Sequence, residues 1–277
     1  MYIPKEALGL RITNFAFYLV MVISMYAFDR ISLNGVTLFD ALLSLDTPLT
    51  PDRFAFSVLQ AIYVLLFCLN LYSFGAFHGN SRGDNPDLIH VMGPFFFFAM
   101  GAAGAYSFSL HFKNLLVCMI LAFFLWFCLQ RALAGIREEA KRTREKIFFR
   151  APLSAAYAVS TSVFFLTAAM LFRDMRHNIP DFGYSMWMYG SLIFMIIIGV
   201  YYTTRYSDYV FNLGMTWMLI GVFYKNIQIV GEETSFTVAL LASVGIGVLL
   251  IVAGVTYLAG RNKPKLPEGP GHWILYD

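Results

Sequence analysis

The stretch "DTPLTPDRFAFSVLQAIYVLLFCLNLY" occupies residues 46–72. It opens as a polar turn carrying Pro48 and Pro51, then runs from Phe54 to Tyr72 without a charge. Its Leu, Ile, Val and Phe content would suit a buried strand in water. A run of about 20 apolar residues is also what a helix needs to cross a bilayer. In lipid every backbone N–H and C=O must be satisfied within its own segment, so helix wins over side-chain propensity. Pro51 suits the start of such a helix, where its missing N–H has no partner to lose. Thr50 is a candidate cap, and Asp52 suits the positive end of the helix dipole.

The same pattern recurs along the chain. Of 277 residues, 58% are hydrophobic and 13% charged, with a mean hydropathy of +0.64. Soluble domains carry about 25% charged residues, so this composition cannot cover a water-facing surface. The fold class is an all-α integral membrane protein, a bundle of about eight transmembrane helices. The segments are residues 12–28, 54–77, 88–110, 115–133, 151–172, 185–203, 209–230 and 236–258. Residues 1–260 then form a single polytopic domain, and 261–277 a Pro/Gly-rich tail. Lys5 and Arg11 precede the first apolar run, but no small-residue cleavage site follows it, so that run reads as a retained helix.

Charge sets the orientation. The segment "RALAGIREEAKRTREKIFFR", residues 131–150, carries seven Lys and Arg and marks the cytoplasmic side. With eight crossings, both termini share that side, which collects fourteen of the twenty cations against six outside. Seven crossings would put the basic tail outside. The first loop, about residues 29–53, is then extracytoplasmic and holds Asp29, Asp40, Asp46 and Asp52. The basic segment reads as helical extensions into water, a topology determinant that also meets anionic headgroups. Glu138 and Glu139 stand three or four residues before Lys141 and Arg142, a spacing that pairs charges along a helix. The membrane expected is the plasma or inner cell membrane.

Polar groups inside the spans are few. They are Gln60, Asn70, Thr161, Thr167 and, near the ends of the seventh span, Asp208, Lys225 and Asn226. The spacing offers no carboxylate pair for a proton relay and no metal-ligand pattern. Lys225 is expected to snorkel to the interface, and His90 and His111 to be interfacial residues flanking the third span. Cys68, Cys118 and Cys128 lie in apolar runs and read as small packing residues without a disulfide. Small residues at 101–105, "GAAGA", and at Gly245, Gly247 and Gly254 suit close helix packing or a homodimer face. No basic face interleaved with polar surface suggests nucleic acid. The partners expected are the lipid bilayer, a hydrophobic ligand, and a homodimer or larger membrane complex.

Read together, four stretches resemble the TspO/MBR proteins, the tryptophan-rich sensory and translocator proteins, in their longer forms with helices added to a five-helix unit. They are "TPDRFAFSVLQAIY" (50–63), "MGPFFFF" (92–98), "FFRAPLSAAYAVSTSVFFLTAAML" (148–171) and "RYSDYVFNLGMTWMLIGVFYKN" (205–226). The resemblance implies a helical bundle binding or transporting a flat hydrophobic molecule, porphyrin- or sterol-like, under a lid formed by the first outer loop. The lining residues it implies are Phe54, Phe56, Leu59, Tyr63, Pro152, Tyr157 and Thr167. Leu59 and Val159 stand where the family has Trp, and Thr167 where it has Asn.

Two other functions fit the composition. An accessory subunit of a membrane complex would use the tail "RNKPKLPEGPGHWILYD", with Trp273 and Tyr276 against a partner. An eight-helix lipid hydrolase would gather the outer-loop Asp residues with His111 or His177.

Overall fold

A computed structural model describes residues 5–31, 35–45, 47–76, 88–140, 142–175, 181–229 and 233–261. Among them the chain is helical. The order is α1 (Lys5–Arg30), α2 (Leu38–Ser44), a 3₁₀ turn (Arg53–Ser57) leading into α3 (Val58–Ser73), α4 (Leu88–Met92), α5 (Phe95–His111) and α6 (Leu115–Glu139). A short α7 (Thr143–Glu145) passes through a π turn (Lys146–Arg150) into α8 (Ala151–Asp174), followed by α9 (Asp181–Tyr206), α10 (Tyr209–Ile227) and α11 (Glu233–Arg261). Each expected span overlaps one of the long helices, though not always along its whole length. Among the described residues, six stretches are long and apolar enough to cross a membrane: Leu8–Arg30, Arg53–Ser73, Leu115–Glu139, Thr143–Asp174, Gly183–Tyr206 and Glu233–Ala259. The protein is a multi-pass integral membrane protein.

Two spans differ in detail from the sequence expectation. Residues 88–110 do not form one helix. Gly93 takes φ +57 and Pro94 follows, so α4 stops and α5 restarts at Phe95. The helix expected to open near Pro152 begins earlier, at Thr143. Pro152 has no N–H to give, and its ring would crowd the carbonyl one turn back. The π turn absorbs this: the Ala151 N–H bonds the Lys146 carbonyl, five residues back.

α8 is the axis of the bundle, with 72% of its apolar window buried. Small residues let its neighbours approach. A Cβ on Gly214 of α10 would stand 2.8 Å from the Ala158 Cβ, so only glycine permits this crossing. The "GAAGA" stripe is also used within the chain: a Cβ on Gly101 would stand 3.3 Å from the Phe17 ring of α1.

Side-chain contacts fix which helix ends share a level. At one end, Arg137 of α6 pairs with Asp208 before α10, Arg150 before α8 bonds the Tyr206 carbonyl of α9, and Tyr72 of α3 stacks on Phe148. At the other, His111 closing α5 meets the Phe28 carbonyl of α1, and Asn226 closing α10 meets the Pro48 carbonyl before α3. From α1 through α10, successive long helices therefore alternate in direction. The Arg137–Asp208 contact is 2.8 Å, and Asp208 also accepts from Ser154, caps α10 through the Phe211 N–H, and has the Arg150 Nε 3.9 Å away. The Arg137 guanidinium lies 4.3 and 4.5 Å from the centroids of the Tyr202 and Tyr206 rings.

Several expectations about single residues change. His111, at the end of α5, is fully buried between helices, its ring nitrogens 3.0 and 3.1 Å from the carbonyls of Ser107 and Phe28. Lys225 does not simply snorkel: its ammonium donates to the Thr47 carbonyl at 2.9 Å. Thr50 caps nothing. It is buried against Thr47, and Asp52 caps the 3₁₀ turn by accepting from the Phe54 N–H. The cysteines are free thiols, with Cys118 and Cys128 buried. Lys141, Asp46, His177 and the tail 262–277 lie outside the described residues.

Candidate functional site

The loop between α1 and α3 is built as a roof. Thr37 caps α2 and exchanges hydrogen bonds with Asp40, whose N–H donates back to the Thr37 hydroxyl at 3.2 Å. This reciprocal cap holds a seven-residue helix that would be marginal alone. Leu38 and Leu42 of α2 face a cavity below. The loop then reaches α10, which holds it at four points. Lys225 bonds Thr47, Asn226 bonds Pro48 at 2.7 Å, the Asp52 N–H donates to the Gly221 carbonyl at 3.0 Å, and the Trp217 indole donates to the Ala55 carbonyl at 3.0 Å.

The cavity measures about 170 Å³. Its walls come from α1 (Met21, Met25), α3 (Leu59, Ile62, Tyr63, Leu66), α5 (Met100, Ala103, Tyr106, Ser107, Leu110), α6 (Leu125, Leu129) and α8 (Ala156, Val159, Ser160, Val163, Leu166), with Phe56 at the roof. Among the described residues, no lining side chain is charged. The hydroxyls are mostly committed elsewhere: Ser107 donates to the Ala103 carbonyl and Ser160 to the Tyr157 carbonyl. The arrangement suits retention of an apolar body, not acid–base chemistry. Among the described residues no group of three His, Cys, Asp or Glu could hold a metal ion.

The seven residues singled out in the sequence fall in different places. Phe56, Leu59 and Tyr63 line the cavity. Phe54 turns the other way, edge-on to Trp217 at 5.8 Å and Tyr224 at 5.4 Å. Pro152 is buried at the start of α8, and Tyr157 faces α9 and α10, 5.4 Å from Tyr202 and 5.2 Å from Phe211. Thr167 stands behind the wall, 2.9 Å from the Tyr106 hydroxyl. Leu59 and Val159, the two positions where the resembled family carries Trp, both line the cavity. The sequence reading did not single out the α1 and α5 walls. Met21 and Met25, one turn apart, and Met100, Ala103 and Ser107 carry the only signal, a helical spacing shared by every face of an apolar helix.

The contributing long helices, α1, α3, α5, α6 and α8, are the first five; α9 to α11 stand outside the cavity. A family model described as "TSPO-like protein" matches residues 11–255. Neither a curated protein nor a solved structure matches the chain. With the match running from α1 into α11, the chain belongs to the TSPO-like protein family.

Proposed function

We propose that this protein binds a neutral hydrophobic molecule in the cavity of its first five long helices and holds or passes it within the bilayer. The observation that carries the reading is the cavity itself: uncharged, roofed by α2, and walled by α5 and four helices long and apolar enough to cross a membrane. An engineered apolar cavity of about 150 Å³ takes up benzene, so about 170 Å³ admits one or two rings or the end of a longer molecule. A porphyrin is larger and carries carboxylates, for which the lining offers no cation. The flat hydrophobic ligand is thus better supported than the tetrapyrrole.

The reading includes eight crossings, with α4–α5 and α10 joining the six clearly apolar spans, and both termini cytoplasmic. The alternation of helix ends and the basic residues at the Arg137–Arg150 end support it.

Purification in mild detergent followed by mass spectrometry of the extracted small molecules tests the binding. A stoichiometric neutral hydrophobe that disappears on Val159→Phe supports the reading. Protein that carries no such molecule and is not stabilised by any neutral hydrophobe overturns it.

A further inference from the structure

The donors around the cavity are nearly all spent. Thr167 donates to the Val163 carbonyl at 2.7 Å, so the Tyr106 hydroxyl is the donor in its 2.9 Å bond to Thr167. Ser107 and Ser160 give their protons to carbonyls of their own helices. Tyr63 is the exception: its hydroxyl has no hydrogen-bond partner among the described residues, although its backbone carbonyl accepts from Tyr18 at 2.9 Å. Tyr63 lies ten residues along from Arg53, roughly 15 Å down the helix and near mid-bilayer depth. Water does not reach that depth in lipid, and an unpartnered hydroxyl there is costly.

Resting on the cavity-binding reading above, we infer that Tyr63 is the polar anchor of the site, and that the ligand is a neutral one- or two-ring hydrophobe presenting a single acceptor oxygen, a carbonyl or hydroxyl. The apolar walls take the body of the molecule, and the Tyr63 O–H supplies the one directional contact. This pattern of broad apolar contact plus one placed polar group fixes orientation as well as affinity. It also discriminates, because a hydrocarbon leaves the Tyr63 hydroxyl unpaired whereas a ketone of the same shape pairs it. An anionic ligand is refused, since nothing in the lining offsets a buried charge.

The test uses the detergent-purified full chain and three probes of similar shape: tetralin, 1-tetralone and tetralin-1-carboxylate. Binding is titrated calorimetrically, with uptake by the cavity-filled Val159→Phe variant subtracted as micelle partition. Tyr63→Phe, which keeps the ring, is expected to weaken 1-tetralone about two- to tenfold and to leave tetralin unchanged. The carboxylate is expected not to bind. Specific binding of tetralin with an equal response of both neutral probes to Tyr63→Phe overturns the anchor and leaves the cavity reading intact. Saturable binding of the carboxylate overturns the neutral class. No uptake of any probe beyond that of Val159→Phe overturns both.

Discussion

The side-chain amide of Asn226 donates a 2.7 Å hydrogen bond to the carbonyl of Pro48, tying the last turn of α10 to the loop that roofs the cavity. The same amide donates to the Val222 carbonyl at 2.7 Å, so its direction is fixed from within its own helix. With Lys225 on Thr47, α10 satisfies two successive loop carbonyls that have no regular secondary structure to bond. Asn226→Ala should therefore cost about 1–2 kcal/mol and loosen the roof. The expected outcome is a lower melting temperature in detergent, with faster maleimide labelling of a cysteine placed at Leu42. Labelling at the parental rate would show that the roof is held without this contact.

Gly221 sets how close α10 and the 3₁₀ turn come. A Cβ there would stand 2.4 Å from the Ala55 Cβ and 2.9 Å from the Pro51 Cβ, and neither neighbour has a flexible end to move. Gly221→Ala should force the elements apart and lengthen the Asp52–Gly221 and Trp217–Ala55 hydrogen bonds, at about 1–3 kcal/mol. Gly247 of α11 has nothing within 4 Å of the same position. Gly247→Ala should be neutral or stabilising by up to about 1 kcal/mol through helix propensity. Equal melting of the two variants would remove the close-approach argument.

How much of this was legible in the sequence depends on the kind of force. The long apolar helices were legible because the bilayer imposes length and backbone satisfaction whatever the side chains. The 3₁₀ turn after the Pro51–Asp52 pair was visible as a helix start for similar local reasons, though its cap proved to be Asp52, not Thr50. The cavity walls were legible only where a family resemblance pointed, at Phe56, Leu59 and Tyr63. Met21, Met25, Met100 and Tyr106 were not, because neither α1 nor α5 sorts its polar and apolar residues onto opposite faces. In lipid, an apolar residue is tolerated facing either way, so hydrophobic pattern does not record helix rotation. Lys225 illustrates the same limit. The residue was visible, but its partner is a backbone carbonyl, which no sequence displays.

Asp208 carries four contacts, and its loss should be among the most damaging single changes. It is 3% exposed and neutralises Arg137, whose side chain is 8% exposed and whose Nε already lacks a partner. Asp208→Ala leaves that guanidinium buried beside Tyr202 and Tyr206 and removes the α10 cap. Breaking one side of a buried pair costs about 3–5 kcal/mol, and a lost cap about 1 kcal/mol. Asp208→Asn keeps an oxygen for the Phe211 N–H and should cost less. Replacing both partners, Arg137→Met with Asp208→Asn, should recover part of the loss. Thermal unfolding of the three variants checks the order, and Asp208→Ala melting with the parent would sink it.

Filling the cavity separates its proposed role in binding from its role in packing. Leu59 and Val159 line it from α3 and α8. An empty apolar space forfeits the dispersion contacts of its walls, so adding volume there is stabilising where the side chain fits. Leu59→Trp or Val159→Phe should raise the stability of ligand-free protein by about 0.5–2 kcal/mol. Either should also abolish stabilisation by added neutral hydrophobes, because stabilisation by a ligand vanishes when its affinity for the folded state is lost. The two effects point in opposite directions, which excludes misfolding as the common cause. Melting curves with and without a neutral hydrophobe provide the check. A filled variant that still gains the parental shift would place the binding site elsewhere in the bundle.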